Sequence, residues 1–311
     1  MKKEYLTYTP VVCVLALLCC TLWGSAFPCI KIGYRLLDIS GEDTAAQILF
    51  AGIRFTLAGI ITVLLGSITS KKVLVPKKES LFPIFKLSMV QTVMQYVFFY
   101  VGLAHTTGVK SSIINASNVF ISIFLAVFIF RYEKLTPMKI LGCILGFAGV
   151  VIVNLSGGQF DFSFSFAGEG AIFICAIAYG LSSGLIKKYS ENENPVILSG
   201  YQFFIGGIIM ALAGFISGGR ISGFTAQSVL LILYLACVSA VGYTIWGILL
   251  KYNDIGKVAV FGFANPLSGV ILSAIFLNEQ TQTSAAYIVL SVILVSAGIF
   301  FVNKKTKTAD A

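Results

Sequence analysis

Arg54 is the residue of this sequence whose position most restricts its chemistry. It lies about ten residues into a long apolar segment, and a charge at the centre of a lipid bilayer costs at least about 2.5 kcal/mol. Something must therefore compensate the guanidinium. The candidates are an anionic group of a bound solute, backbone carbonyl groups, or a carboxylate from a loop. A packing arginine whose side chain reaches the membrane surface is the structural alternative.

Polar side chains recur on one helical face in two consecutive apolar segments. The first run is Ser88, Gln91 and Gln95, and the second is Ser111, Asn115, Asn118 and Ser122. The steps of three and four place each run on one side of a helix. Polar groups that face lipid lose water without replacement, so both runs are expected to face the protein interior. Interhelical hydrogen bonds, worth about 0.6 kcal/mol each, would explain either run alone, but two neighbouring runs favour a shared polar cavity.

Aromatic side chains complete the set of candidate solute-binding residues, because they can stack on aromatic or cationic solutes. For each aromatic residue alone, a place in the core or at the membrane interface also fits. The candidates are Trp23, Arg54, Gln91, Gln95, Tyr96, Ser111, Asn115, Asn118, Tyr179, Tyr243, Trp246 and Asn265.

The same inventory argues against catalysis. The thirteen Asp and Glu residues lie in tails, loops or helix ends, and the chain has one histidine, so no carboxylate pair or His cluster is available at mid-membrane. The seven cysteines have no metal-ligand spacing, and no phosphate-binding G-x-x-x-x-G-K-[ST] loop is present. We expect no enzyme activity, no metal and no cofactor.

Composition predicts an all-α polytopic membrane protein. Hydrophobic residues make up 57% of the 311 residues and charged residues 11%, and a bilayer core about 30 Å thick needs roughly 20 apolar residues per helix. The expected spans are residues 11–30, 45–66, 82–104, 111–130, 138–155, 167–186, 197–217, 228–250, 258–277 and 284–302.

The basic residues predict the orientation in the membrane. With the N-terminus in the cytoplasm, sixteen of them fall inside and only Lys31, Arg35, Lys110 and Arg220 fall outside, as the positive-inside rule requires. The sixteen are Lys2, Lys3, Lys71, Lys72, Lys77, Lys78, Arg131, Lys134, Lys139, Lys187, Lys188, Lys251, Lys257, Lys304, Lys305 and Lys307. Both termini are therefore predicted to be cytoplasmic in a multi-pass protein of the cytoplasmic membrane. Topology and anionic lipid account for the net charge of +9 without a nucleic-acid partner.

The second five spans repeat landmarks of the first five in the same order, which indicates an internal duplication with halves 1–155 and 156–311. The paired landmarks are Trp23-Gly24 with Lys31 and Tyr179-Gly180 with Lys187; Arg54-Phe55 and Gln202-Phe203; the turns at Glu133 and Glu279; and Ala148-Gly149 through Asn154 and Ala297-Gly298 through Asn303. Because each half has an odd number of spans, the two repeats are predicted to be inverted, as in many secondary transporters.

These landmarks resemble the drug/metabolite transporter superfamily in its ten-helix EamA-type branch. The resemblance is carried by Trp23-Gly24-Ser25-Ala26-Phe27, Arg54-Phe55, Asn265-Pro266 and the Glu133 and Glu279 turns with their glycine-rich last helices. It implies export or exchange of small metabolites, amino acids or drugs without ATP hydrolysis.

The predicted function is a secondary transporter that exports or exchanges small organic solutes by alternating access. Proton-coupled drug antiport is the alternative, and the lack of a mid-membrane acid weighs against it. A channel or a non-transporting scaffold is a further alternative. The expected partners are a small solute and membrane lipids, and both a monomer and a homodimer remain open.

Overall fold

The computed structural model describes residues 3–155, 164–277 and 285–304. Within them, ten helices are long and apolar enough to cross a membrane, which confirms the predicted all-α membrane fold. They are α1 Thr9–Leu36, α2 Thr44–Ser70, α3 Lys78–Ala104, α4 Gly108–Ile129, α5 Pro137–Leu155, α6 Phe166–Tyr189, α7 Pro195–Ile216, α8 Ala226–Tyr252, α9 Ile255–Ser273 and α10 Ala286–Asn303. The predicted Glu279 turn lies outside the described residues.

Helix starts are marked by short polar side chains that bind the first free backbone N–H groups. Asp43 accepts a hydrogen bond from the Ala46 N–H at 2.8 Å at the start of α2. Thr225 and Ser228 cap the start of α8 reciprocally. These caps set where α2 and α8 begin, and so fix the depth of the residues they carry.

Each helix of the first five makes contacts that match those of the helix five places later in the chain. Helix α2 packs on α7, and α5 packs on α10. Helix α1 packs on α8 and α9, as α6 packs on α3 and α4, while α2 contacts α8 as α7 contacts α3. Two equivalent five-helix units related by a twofold axis would produce this pattern. The inverted orientation of the halves and the cytoplasmic position of both termini stay predictions.

Glycines bring the backbones of α2 and α7 into direct contact. A Cβ atom on Gly52 would lie 2.2 Å from the Ala211 nitrogen, and one on Gly207 would lie 2.3 Å from the Thr56 nitrogen. Helices α5 and α10 meet in the same way, because a Cβ on Gly298 would lie 2.5 Å from the Gly142 oxygen. Small residues allow such close approach in membranes. These two helix pairs are therefore closely packed units at the sides of the other helices.

Three helices that carry polar residues are irregular near mid-membrane. Helix α3 contains the π-helical stretch Ser88–Met94, and α4 is interrupted at Ser117 between Gly108–Ala116 and Asn118–Phe124. Helix α9 passes through a 3-10 turn at Val260–Phe263. Such local changes of helical pitch are common near functional sites because they re-aim side chains.

Candidate functional site

A cavity between seven helices holds about 850 Å³ of empty space, its opening included. Its lining residues come from α1, α2, α3, α4, α6, α8 and α9. The cavity begins near mid-membrane and extends along the halves of α1 and α3 that end at Leu36 and Ala104, which is the predicted outer side. On the opposite side, a buried apolar cluster that includes Trp246, Leu250 and Ile186 fills the space between the helices.

Arg54 lines this cavity with almost no solvent exposure, since 3% of its surface is accessible. Its guanidinium carbon lies 4.4 Å from the centre of the Phe55 ring and 6.0 Å from that of Tyr96. The Arg54 Nε atom is buried without a hydrogen-bond partner. Among the described residues that line the cavity there is no Asp or Glu. The two rings stabilise the cation, but no anion of the cavity wall balances its charge.

Other polar atoms of the lining also lack partners. Trp23 Nε1 is a buried donor, and Gln95 Oε1 and Asn265 Oδ1 are buried acceptors, each without a hydrogen bond. Buried polar groups in proteins are nearly always paired, so unpaired ones around a cavity are available to a bound molecule. Trp23 Nε1 faces Gly242 of α8, where an added Cβ would lie 2.7 Å from it, so the site can offer a cation and two acceptors.

A hydrogen-bond network holds part of the polar wall in place. The Tyr96 and Tyr243 hydroxyl groups are 2.6 Å apart, and Gln95 Nε2 donates to the Tyr243 oxygen at 3.4 Å. The Trp23 ring packs against Tyr243 at 4.9 Å and against Trp246 at 5.1 Å between centroids. Aromatic packing on one side and hydrogen bonds on the other restrict the side-chain conformations of this wall.

The structure brings nine of the twelve sequence-predicted site residues to this one cavity: Trp23, Arg54, Gln95, Tyr96, Asn115, Asn118, Tyr179, Tyr243 and Asn265. The other three lie elsewhere. Gln91 donates to the Ser182 hydroxyl at 3.2 Å, as expected of a contact between helices. Ser111 is buried with an unpaired hydroxyl, and Trp246 is buried behind Trp23. Whether these residues bind a solute stays a prediction.

Several lining residues were not predicted from the sequence, and most are apolar. They are Ala26, Phe27, Ile30, Phe99, Cys175, Val238, Ser239 and Gly262. Helical spacing could have found many of them. Phe27 follows Trp23 by four residues, and Cys175 precedes Tyr179 by four, which places each pair on one face. The Cys175 thiol contacts Asn115 Oδ1 at 3.8 Å, so it lies at the polar wall.

Ionic contacts close the end of the molecule that is predicted to face the cytoplasm. Glu133 accepts a hydrogen bond from the Gly256 N–H at 2.8 Å and pairs with Lys139 at 2.5 Å. Lys187 Nζ donates to the carbonyl oxygens of Leu250 at 3.1 Å and Asn253 at 2.5 Å. These contacts join the α4–α5 loop to α9, and α6 to the end of α8.

A second joint at this end connects the loop before α3 to the loop before α7. Glu193 accepts hydrogen bonds from the backbone N–H groups of Lys77 and Asn194 at 3.1 and 2.9 Å. Burial alone would raise the pKa of Glu193, but these hydrogen bonds outweigh it and hold the pKa below its ordinary value. Glu193 therefore stays ionised at neutral pH.

At the opposite end, the Glu169 carboxylate at the start of α6 forms an ion pair and accepts hydrogen bonds. It pairs with Lys110 at 3.4 Å and accepts hydrogen bonds from the Thr106 hydroxyl and from the Ser165 N–H, the latter at 2.7 Å. This carboxylate lies at the end of the spanning helices and not in the cavity wall.

Comparison with known proteins gives consistent results over nearly the whole chain. The model of the EamA-like transporter family matches residues 11–155 and again residues 166–304. Uncharacterized transporter YvbV of Bacillus subtilis (strain 168) is 26% identical over 297 residues, which cover 93% of this chain and 90% of that protein. A probable amino-acid metabolite efflux pump of Escherichia coli (strain K12) is 25% identical over 303 residues, covering 92% and 93%. A solved crystal structure with 14% identity has a TM-score of 0.77 and covers 94% of this chain and 96% of that one, which shows a shared fold.

Proposed function

The chain belongs to the EamA-like transporter family, and from this premise we propose that it is a secondary transporter that exports or exchanges small organic metabolites. The transporter role and the multi-pass membrane location follow from the family and the ten apolar helices. The observation that carries the proposal is the mid-membrane cavity, which gathers Arg54, three amide side chains on α3 and α4, and Asn265. Secondary transporters place their substrate sites at this depth between their repeats.

Alternating access requires that the cavity open in turn to each side of the membrane. In the structure it lies towards the predicted outer side, while the Glu133 and Lys187 contacts hold the predicted cytoplasmic end together. Opening to the cytoplasm would require these contacts to break. We infer that α1, α3, α4, α6, α8 and α9 move against the closely packed pairs α2–α7 and α5–α10.

The charges favour facilitated export or exchange over strict proton antiport. A proton-coupled site needs a carboxylate whose protonation competes with the solute, and the described residues that line the cavity include none. Glu133 and Glu169 are carboxylates at the boundaries of the spans, and each is already paired with a lysine. An imposed proton gradient that drives uptake of a solute in proteoliposomes would contradict this part of the proposal.

Counterflow into proteoliposomes tests the transport function. A panel of amino acids, nucleosides and cationic drugs would be compared for the wild type, Asn115→Ala in the cavity wall, and Asn154→Ala. Asn154 is a matched control, because it lies at the end of α5 and its side chain bonds the Val150 oxygen of its own helix. We expect a solute whose uptake falls with Asn115→Ala but not with Asn154→Ala. If the wild type accumulates no member of a broad panel, the proposed function is wrong.

We further propose that the protein resides in the cytoplasmic membrane with both termini inside. Single cysteines placed in residues 71–77, on a background without the seven native cysteines, should react with an impermeant thiol reagent only from the cytoplasmic side. Cysteines at residues 217–224 should react only from outside. The reverse pattern would overturn the orientation and leave the fold unchanged.

A further inference from the structure

We propose that Arg54 binds the carboxylate of the transported solute, so that the cavity selects organic monocarboxylates that also carry a hydrogen-bond donor. This inference rests on the proposed transport function and names the substrate class of the same cavity. Solutes that lack an anionic group, such as cationic drugs and neutral amides, are expected to bind poorly.

The first step is the missing counter-charge. Arg54 is the one charged side chain among the described residues that line the cavity, its surface is 3% exposed, and its Nε atom has no partner. A buried charge is costly unless it is paired and hydrogen-bonded. A solute anion would supply the missing partner.

The second step is the geometry of the guanidinium. The guanidinium carbon of Arg54 lies over the Phe55 ring, 4.4 Å from its centre, and we take the N–H edge of the group as the side that a ligand meets. That edge is a planar fork that fits the two oxygens of a carboxylate. A single positive charge balances a monocarboxylate better than a phosphate monoester, whose charge is about −1.5 to −2 at neutral pH.

The third step is a contrast between the repeats. Gln202 occupies the position that corresponds to Arg54 in the second half, and its Oε1 atom accepts a hydrogen bond from the Thr92 hydroxyl at 2.6 Å. Gln202 is fully buried and is not among the residues that line the cavity. Gln202 Nε2 is buried without a partner, as Arg54 Nε is. The two positions have diverged in charge and place, since one is a neutral amide away from the cavity and the other a cation that lines it.

The fourth step concerns the rest of the solute. Gln95 Oε1 and Asn265 Oδ1 are buried acceptors without partners, and an ammonium or hydroxyl group of the solute would donate to them. Phe27, Ile30 and Phe99 form an apolar part of the wall, which suits a hydrocarbon or aromatic substituent. An α-amino acid in its zwitterionic form has all three features.

The test measures the preference for an acid over its own amide. Ligands would be the L-phenylalanine and L-leucine series, each as amino acid, amino acid amide and deaminated acid, together with every solute that responds in the counterflow panel and its amide. Quenching of tryptophan fluorescence reports binding, because the two tryptophans of the chain are Trp23 in the wall and Trp246 packed against it. Counterflow competition gives an independent value.

We expect acids to bind the wild type about ten- to a hundredfold more tightly than the matched amides. In Arg54→Gln the ratio should fall to about one, and Arg54→Lys, which keeps the charge but not the fork, should lie in between. Arg220→Gln is the matched control. Arg220 lies in the α7–α8 loop and donates to the Phe215 and Gly219 carbonyl oxygens. The preference of Arg220→Gln for an acid over its amide should therefore equal that of the wild type.

Equal binding of acid and amide by the wild type, or an unchanged ratio in Arg54→Gln, would overturn the inference. Responding solutes that all lack a carboxylate would also overturn it, while leaving secondary transport intact. If no solute is transported and no acid changes the fluorescence, both the proposed function and the inference are wrong.

Discussion

Arg54 and Gln202 occupy corresponding positions in the predicted duplication but have different surroundings. Their neighbours Phe55 and Phe203 stack on each other at 5.2 Å with nearly parallel rings, so the two positions lie on either side of one aromatic contact. Gln202 Oε1 accepts a hydrogen bond from Thr92, while its Nε2 atom is buried without a partner. Arg54 lines the cavity, and its buried Nε atom also has no partner. The hydrogen bond of Gln202 to Thr92 stabilises the fold, whereas the unpaired charge of Arg54 costs stability, as a group reserved for a solute would under the proposed function.

Substitution at these two positions should therefore change stability in opposite directions. Without ligand, Arg54→Gln should raise the melting temperature in detergent, because it removes a buried charge that no residue pairs. Gln202→Ala should lower the free energy of unfolding by about 2–3 kcal/mol, since it leaves the Thr92 hydroxyl unpaired and creates a cavity. Thermal unfolding followed by tryptophan fluorescence measures both. A lower melting temperature for Arg54→Gln would show that the guanidinium has partners that stabilise it.

At the scale of elements, the contact between α2 and α7 depends on the lack of side chains at a few positions. Gly52→Ala places a methyl group 2.2 Å from the Ala211 nitrogen, and neither backbone can move aside without separating the helices. We expect a loss of about 1–3 kcal/mol or more, seen as a lower melting temperature and a lower yield of folded protein.

Gly41→Ala is the control for this substitution. Gly41 is exposed in the α1–α2 loop, and no atom lies within 4 Å of its Cβ position, so stability should change by less than about 0.5 kcal/mol. Equal effects of the two substitutions would mean that α2 and α7 are less closely packed than in the structure.

The Glu133–Lys139 pair makes a prediction about the end of the protein that is predicted to face the cytoplasm. Both side chains are buried, so removal of one partner leaves the other charge uncompensated. Glu133→Gln and Lys139→Met should each cost about 3–5 kcal/mol. In the double variant the loss should be smaller than the sum, because no unpaired charge remains.

The measurement is a double-mutant cycle on thermal or denaturant unfolding in detergent. Additive losses would show that the pair is not coupled. Lys257→Met is a suitable comparison for Lys139→Met. Lys257 and Asp254 form an ion pair at 3.8 Å whose side chains are about half exposed, so this pair should contribute little.

The ten helices could be predicted because their length and apolar composition follow directly from the thickness of a bilayer. Their ends were harder to predict. Helix α1 was expected at residues 11–30 and runs from Thr9 to Leu36, because the backbone stays helical beyond the apolar part, past Lys31 and Arg35. Hydropathy marks the lipid-facing length and not the last hydrogen-bonded turn.

The polar faces were predictable only in part. Gln91 and Gln95 are four residues apart and belong to one face of a regular helix, yet only Gln95 lines the cavity. The π-helical stretch Ser88–Met94 contains Gln91 and ends just before Gln95, which alters the angle between the two side chains. Gln91 instead meets Ser182 on α6, a partner far away in sequence. Long-range contacts of this kind cannot be read from local spacing.

For the whole molecule, the contact pattern relates the predicted duplication to the proposed transport. Exchange of each helix for the one five places later preserves the pairs α2–α7 and α5–α10 and interchanges α1, α3 and α4 with α6, α8 and α9. These six interchanged helices surround the cavity, and Arg54 on α2 completes its lining. A conformation open to the other side could arise when these helices exchange roles, and Arg54 would remain on a helix of the closely packed pair.

If the protein exchanges carboxylates as proposed, Arg54 should also affect how the empty form returns. In a closed empty form the guanidinium would lose the 3% of its surface that the open cavity leaves accessible and would stay unpaired, at a cost that we take as about 2.5 kcal/mol, whereas a bound carboxylate would neutralise it. If that cost falls on the closed state through which the helices must pass, return of the empty form is slower by roughly 50- to 100-fold. Exchange of one carboxylate solute for another should therefore exceed net efflux by a similar factor.

Efflux of a labelled carboxylate from proteoliposomes, into buffer with or without the unlabelled solute, measures this ratio. In Arg54→Gln the stimulation by external solute should fall towards one at saturating solute, because the empty form no longer carries the charge. Equal efflux with and without external solute in the wild type, or undiminished stimulation in Arg54→Gln, would show that the charge of Arg54 does not limit the return step.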